Sequence, residues 1–197
     1  MVYFGPCWTN RSCAWDSSFR LFLKGILEMN YPDGAKFGPA RTLFSGHPKL
    51  EIARIEHVVF TKADCVLAWR IFSDCDRWPR FSDSYGKIEW QGVPWALGSR
   101  LQIELVRPVQ AIQRRVITVC TPPRCVAWIN HVMGVTMEQW VLFDPYPGGG
   151  TRISTWIEFT GNAAGVNVLE LRAIIATFLE NWFNNFLTEC DRVAENF

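Results

Sequence analysis

The sequence has almost no net charge: 20 Lys and Arg against 19 Asp and Glu leave a formal +1 over 197 residues. Proteins that neutralise a phosphate backbone need a basic excess, so nucleic acid is not an expected partner. The Arg114-Arg115 pair reads as a solvated strand face. No apolar run approaches the ~20 residues that cross a bilayer, so no transmembrane segment is expected. "FRLFLKGIL", from Phe19, is broken by charge and lies too far in for a secretory leader. The seven cysteines form no C-x-x-C pair, and no His stands at zinc-finger spacing from them. No metal and no cofactor are therefore expected. Cys120 and Cys125 flank "TPPR" and stand to face each other across a hairpin. Reduced thiols in a cytoplasmic protein are nonetheless the expectation.

What is abundant is apolar and aromatic: 49% of residues are hydrophobic, with 10 Trp and 14 Phe. A chain of this size can bury roughly 70% of its unfolded surface. Residues 1–50 mix aromatics, Cys, Gly and Pro with no sustained period, apart from a short helical stretch around Phe19–Leu27. They read as an irregular N-terminal extension to which no function is assigned, and Met29 offers an alternative start. Order begins with a strand over Glu51–Phe60. A helix follows, with Thr61 and Asp64 as a capping-box variant and Val66, Trp69, Ile71 and Phe72 as its apolar face. Pro79 ends it and starts a second short helix.

Six strand-like segments come next: "KIEWQG", "GSRLQIELV", "AIQRRVITVC", "RCVAWINHV", "TMEQWVLFD" and "TRISTWIEFT". Their connections are too short for parallel crossovers, so the sheet is antiparallel. From Val166 to about Asn196 there is neither Gly nor Pro. Asn167 with Glu170 reads as a helix start. Leu171, Ile175, Phe178, Trp182, Phe186 and Val193 recur at helical steps, widened by Ile174, Leu179 and Phe183. Such a stripe needs a broad apolar partner.

The glycines of "GGGTRISTWIEFTG" (Gly148–Gly161) lead into a period-two strand rather than a helix, and no Gly-Lys-Ser/Thr follows. They are therefore turn glycines, not a phosphate cradle. A hairpin about "PYPGGG" that sets Phe143 against Ile153 also sets Val141 against Thr155, Gln139 against Ile157 and Met137 against Phe159. Glu138, Trp140, Leu142, Arg152, Trp156 and Glu158 then share the opposite, wet face. A one-residue slip would exchange the two. Sparse polar groups among aromatics, here Gln139, Thr155 and Asn185, are the usual make-up of an apolar ligand pocket. A packed core with a few satisfied polar groups fits the same composition.

The order strand, helix, small helix, six strands, long helix resembles the START-like, helix-grip superfamily, also called SRPBCC. The match is to its polyketide cyclase/dehydrase and lipid-transport family. "FSDCDRWPRFSDSYGKIEW" is similar to that family's stretch after the first helix, and "PPRCVAW" to the strand after its middle hairpin. "GGGTRISTWIEFTG" is similar to its Gly-Thr-Arg strand, and "FNNFLTECDRVAE" to its terminal helix, with Thr188 where a lysine is common. The resemblance covers about Glu51 to Asn196. It implies an α+β fold over 51–197, with a curved antiparallel sheet of six to seven strands gripping the C-terminal helix and two short helices after the first strand. It also implies a cavity for a lipid, a polyketide or a quinone-like molecule.

On that basis Leu101, Ile103, Trp128, Met137, Val141, Phe143, Ile157, Phe159, Phe178 and Trp182 are expected to line the cavity. Gln139, Thr155 and Asn185 would orient a carbonyl or hydroxyl. A cyclase/aromatase would instead need a general acid or base, for which Glu138, Glu158, His57 and His131 are the candidates. An interaction protein, such as a quinone chaperone or a partner-binding subunit whose aromatic N-terminal segment docks a partner or a membrane surface, is the third reading.

Overall fold

The computed structural model describes residues 52–107, 110–132, 135–161 and 168–196. The expected extension over 1–50, its helical stretch around 19–27, the alternative start at Met29 and the helix start at Asn167 lie outside these residues. Strand β1 (Ile52–Thr61) leads to helix α1 (Cys65–Ser73), a 3₁₀ turn (Cys75–Arg77) and the short helix α2 (Trp78–Phe81). Strands β2 (Tyr85–Gln91), β3 (Arg100–Leu105), β4 (Ala111–Thr121), β5 (Cys125–Val132), β6 (Val135–Pro145) and β7 (Thr151–Gly161) follow, then helix α3 (Val168–Ala194). The seven strands form one curved antiparallel sheet in the order β1-β7-β6-β5-β4-β3-β2. Strand β1 thus lies at one edge, α1 and α2 carry the chain across to β2 at the other, and the remaining strands meander back. No helix among the described residues is long and apolar enough to cross a membrane.

Local chemistry explains the boundaries. Asp64 alone caps α1, its carboxylate accepting from the Leu67 N–H at 2.7 Å. The Thr61–Asp64 capping box does not form, because Thr61 is the last rung of β1, opposite Thr151. With that start, Ala68, Ile71 and Phe72 face inward, while Val66 is exposed. Pro79 sits in the first turn of α2, where its missing N–H costs nothing. In the β6–β7 turn, Gly149 and Gly150 have φ of +90° and +83°. A Cβ on Gly150 would lie 2.0 Å from the Thr61 carbonyl oxygen. These glycines turn a hairpin and let it approach the end of β1, as their lead into a strand predicts.

Cys120 pairs with Val126 and Cys125 with Thr121, so the two thiols are offset by one rung instead of facing, and both are free.

Phe72 of α1 is the centre of the core. Its ring lies 5.3 Å from Phe143, 5.7 Å from Trp78, 5.8 Å from Trp182 and 6.0 Å from Phe186, centroid to centroid. Rings from all three helices and β6 therefore pack at edge-to-face spacings worth more than their area alone. Along α3, Leu179, Trp182, Phe183, Phe186 and Cys190 are buried, whereas Thr177, Asn184, Thr188 and Glu195 are exposed. Cys190 extends the stripe one turn beyond Phe186, where a small apolar thiol serves as a core residue.

Candidate functional site

Between the sheet and α3 the inward rungs run across the strands. The β6–β7 register pairs Met137 with Phe159, Gln139 with Ile157, Val141 with Thr155 and Phe143 with Ile153, as the alternation predicts. On β4 the same alternation sends Gln113, Arg115 and Ile117 toward the interior, while Arg114 points outward to a 3.1 Å hydrogen bond with Gln102. The expectation that both arginines share a solvated face is corrected: successive strand residues point to opposite sides, and Arg115 is 7% exposed.

Two adjoining cavities lie on these rungs. The larger admits the centre of a water molecule over about 70 Å³. Its walls include Arg115, Gln113 and Asn130 at one side and Met137, Ile157 and Phe178 at the other. The smaller admits water centres over about 20 Å³, beside Tyr85, Trp128 and Trp182. Arg115, Trp128, Gln139, Phe178 and Leu179 line both.

The polar groups are held by named contacts. The Gln139 side-chain amide donates to the Thr155 hydroxyl at 3.1 Å, and that hydroxyl donates to the Trp140 carbonyl at 2.7 Å. Thr155 is thereby occupied with fixing Gln139. The Arg115 guanidinium donates to the Gln113 side-chain oxygen at 3.0 Å and lies 4.9 Å from the centre of the Trp128 ring. Burial pulls the Arg115 pKa down from its ordinary value, partly offset by the neighbouring Tyr85 phenol. Burial pushes both the Tyr85 phenol and the Cys75 thiol up to about 12, against the opposing pull of Arg115. Both are therefore neutral over the ordinary pH range.

Of the residues expected to line a pocket, Trp128, Met137, Gln139, Val141, Ile157, Phe178 and Trp182 border these cavities. Leu101, Ile103, Phe143 and Phe159 are buried in the surrounding core instead. Asn185 is corrected outright: it lies on the exposed side of α3, next to exposed Asn184, because the helical period turns both away from the sheet.

The acid–base candidates are scattered. Glu138 and Glu158 face each other on the outer side of the sheet. There Glu138 accepts from the Trp140 indole at 2.9 Å, and Glu158 lies 3.5 Å from Arg54. His131 stands beside the β5–β6 turn, 2.9 Å from the Thr136 hydroxyl, with its pKa lowered by partial burial. His57 does face inward, against Phe183 at 5.9 Å between ring centres, but borders neither cavity. Among the described residues no group of three His, Cys, Asp or Glu could hold a metal.

No family model and no curated protein sequence matches the chain. Solved structures do. A START superfamily protein from Mycobacterium smegmatis aligns with a TM-score of 0.60 at 11% identity, over 71% of this chain and 98% of that one. Ara h 8.0201 aligns with a TM-score of 0.60 at 10% identity, over 70% and 97%. A conserved protein from Geobacillus kaustophilus gives 0.58 at 13% identity, over 71% and 96%. The fold is START-like.

Within this helix-grip fold, the residues that the sequence reading missed are the polar and aromatic ones on β2, β4 and β5. Arg115, Gln113, Asn130 and Tyr85 all occupy inward rungs, and strict period-two counting back from Ile117 finds Arg115 and Gln113. Trp78 and Phe72 reach the smaller cavity from the two short helices, which no single-element pattern reveals.

Proposed function

We propose that this protein binds a small hydrophobic molecule in the space between β4–β7 and α3. The observation that carries the reading is a half-polar, half-apolar cavity inside an otherwise close-packed aromatic core. Apolar walls with a few convergent polar groups are the usual make-up of a ligand site. At ~10–15 Å³ of centre volume per water, the larger cavity has room for about five waters. That corresponds to a body of about six to eight carbons. A short acyl chain or a single ring, as in a small polyketide-like or quinone-like molecule, enters without displacing a side chain. A long lipid or isoprenoid tail requires the core to open.

The cyclase reading is less well supported. Its four acid–base candidates lie outside both cavities, and the titratable groups that line them are Arg115 and Tyr85. The quinone-chaperone reading rests on residues 1–50 and gains no support from the described part. The five described cysteines are free, which fits a reducing, cytoplasmic setting.

Native mass spectrometry of protein purified from its own host tests the proposal. A stoichiometric added small-molecule mass, lost on organic denaturation, is the expected result. Protein without added mass, together with no thermal shift from C6–C8 acids, alcohols or single-ring phenols, overturns it.

A further inference from the structure

We infer that the ligand of this cavity carries one negative charge, a carboxylate in its simplest form, seated on Arg115. The inference rests on the binding reading above and names the chemical class of the ligand.

A guanidinium stays protonated in proteins, and removing a cation from water is strongly unfavourable unless a partner compensates. Arg115 is 7% exposed, yet no ion pair among the described residues includes it. Its surroundings are neutral: the Gln113 amide, the Trp128 ring face, the Tyr85 phenol and the Cys75 thiol. The Gln113 side-chain oxygen and the Tyr85 hydroxyl engage two of the five N–H donors of the guanidinium, and neither carries a charge. Arg115 is also the single charged side chain among the described residues lining either cavity. The cavity therefore pairs a desolvated cation that has neutral partners but no counter-charge with the apolar wall of Met137, Ile157, Ile175, Phe178 and Leu179.

A second observation points the same way. The Trp182 indole N–H is buried without a hydrogen-bond partner, and Trp182 lines the smaller cavity. The guanidinium and this indole both offer N–H donors, which an entering molecule with oxygen acceptors would satisfy. A planar carboxylate matches the guanidinium fork and forms short, charge-assisted hydrogen bonds. A phosphate monoester would bring a second negative charge with no second cation to meet it. Charge balance thus selects a monoanion, and cavity size selects a compact one.

Calorimetric titration with octanoate and octan-1-ol, on wild type and Arg115→Met, tests the inference. The two probes share a chain and differ in the charge of the head. In wild type, octanoate is expected to bind at least tenfold more tightly than octan-1-ol, and in Arg115→Met that preference should fall below threefold. Equal or tighter binding of octan-1-ol to wild type overturns the anionic head while leaving the apolar pocket standing. A preference for octanoate that survives in Arg115→Met overturns the assignment to Arg115. Binding of neither probe removes the pocket itself. Should Arg115→Met fail to fold, Arg115→Gln replaces it with the same two probes, and a preference for octanoate that survives there overturns the assignment to Arg115.

Discussion

The Thr61 hydroxyl donates a 2.6 Å hydrogen bond to the Asp191 carboxylate, 130 residues away in the chain, and the Lys62 backbone N–H donates to the same oxygen at 2.9 Å. This pair fastens the end of β1 to the last turns of α3 and sets where the helix lies on the sheet. Thr61 in turn accepts from the Ala63 N–H at 3.1 Å, so one hydroxyl joins strand, loop and helix. Replacing Asp191 with Ala leaves the buried hydroxyl and a backbone N–H without their acceptor. Loss of the acceptor for one buried donor costs about 1–3 kcal/mol, while the exposed Lys62 N–H can turn to water. A drop of that size in the urea unfolding free energy is expected for Asp191→Ala. Lys62→Ala, which removes the exposed Lys62–Glu195 pair, should leave the midpoint nearly unchanged.

Gly149 and Gly150 share the left-handed backbone but differ in surroundings. Nothing lies within 4 Å of a Cβ on Gly149, whereas one on Gly150 meets the Thr61 carbonyl at 2.0 Å. Gly149→Ala should therefore cost only the left-handed penalty, about 1–2 kcal/mol. Gly150→Ala should cost more, because the hairpin must also retreat from β1. Denaturation of the two variants side by side checks the order; equal costs would contradict the close approach.

Alkaline pH should destabilise the protein through its buried acids. The Cys75 thiol rises from an ordinary 9.0 to about 12 in the folded state, chiefly by burial, and the Tyr85 phenol rises to about 12 for the same reason. Above pH 9 the unfolded chain loses the Cys75 proton that the folded chain keeps. The stability from this group is complete below pH 9 and drains away between pH 9 and 12. Thermal melts between pH 8 and 11 should show a falling Tm, and Cys75→Ala should flatten the slope while lowering the starting value.

Phe72 meets rings from every neighbouring layer, and its removal leaves a void that rigid neighbours cannot fill. Phe72→Ala should lose about 3–5 kcal/mol. If instead Phe72→Ala loses under about 1 kcal/mol, the core is looser than its ring spacings imply.

Much of this molecule is written in short-range pattern. All seven strands and the long helix follow from periodicity and turn residues, and the β6–β7 register follows from a single assumed pair, Phe143 with Ile153. The site was legible where the alternation was applied consistently, as at Met137, Gln139 and Ile157. It was lost at Arg114-Arg115, where two like charges in succession suggested one wet face although a strand must split them. Asn185 failed for the complementary reason: a polar residue at the margin of a helical stripe can fall on either side, and the packing of Phe183 and Phe186 decides which. The contributions of Phe72 and Trp78 depend on how α1 and α2 settle against the sheet, a tertiary fact that no local period contains.

The pairing of the first strand with the last has a consequence for synthesis. β1 ends at Thr61 and its partner β7 begins at Thr151, about 90 residues later on the ribosome. At ~5–20 residues per second, the leading strand waits roughly 5–18 s for its neighbour, with the apolar side chains of Ile55 and Val59 still uncovered. During that interval a chaperone or a chance partner has access to an edge that the finished molecule closes. Nascent-chain aggregation should therefore depend more on translation speed between β2 and β7 than on the stability of the completed domain.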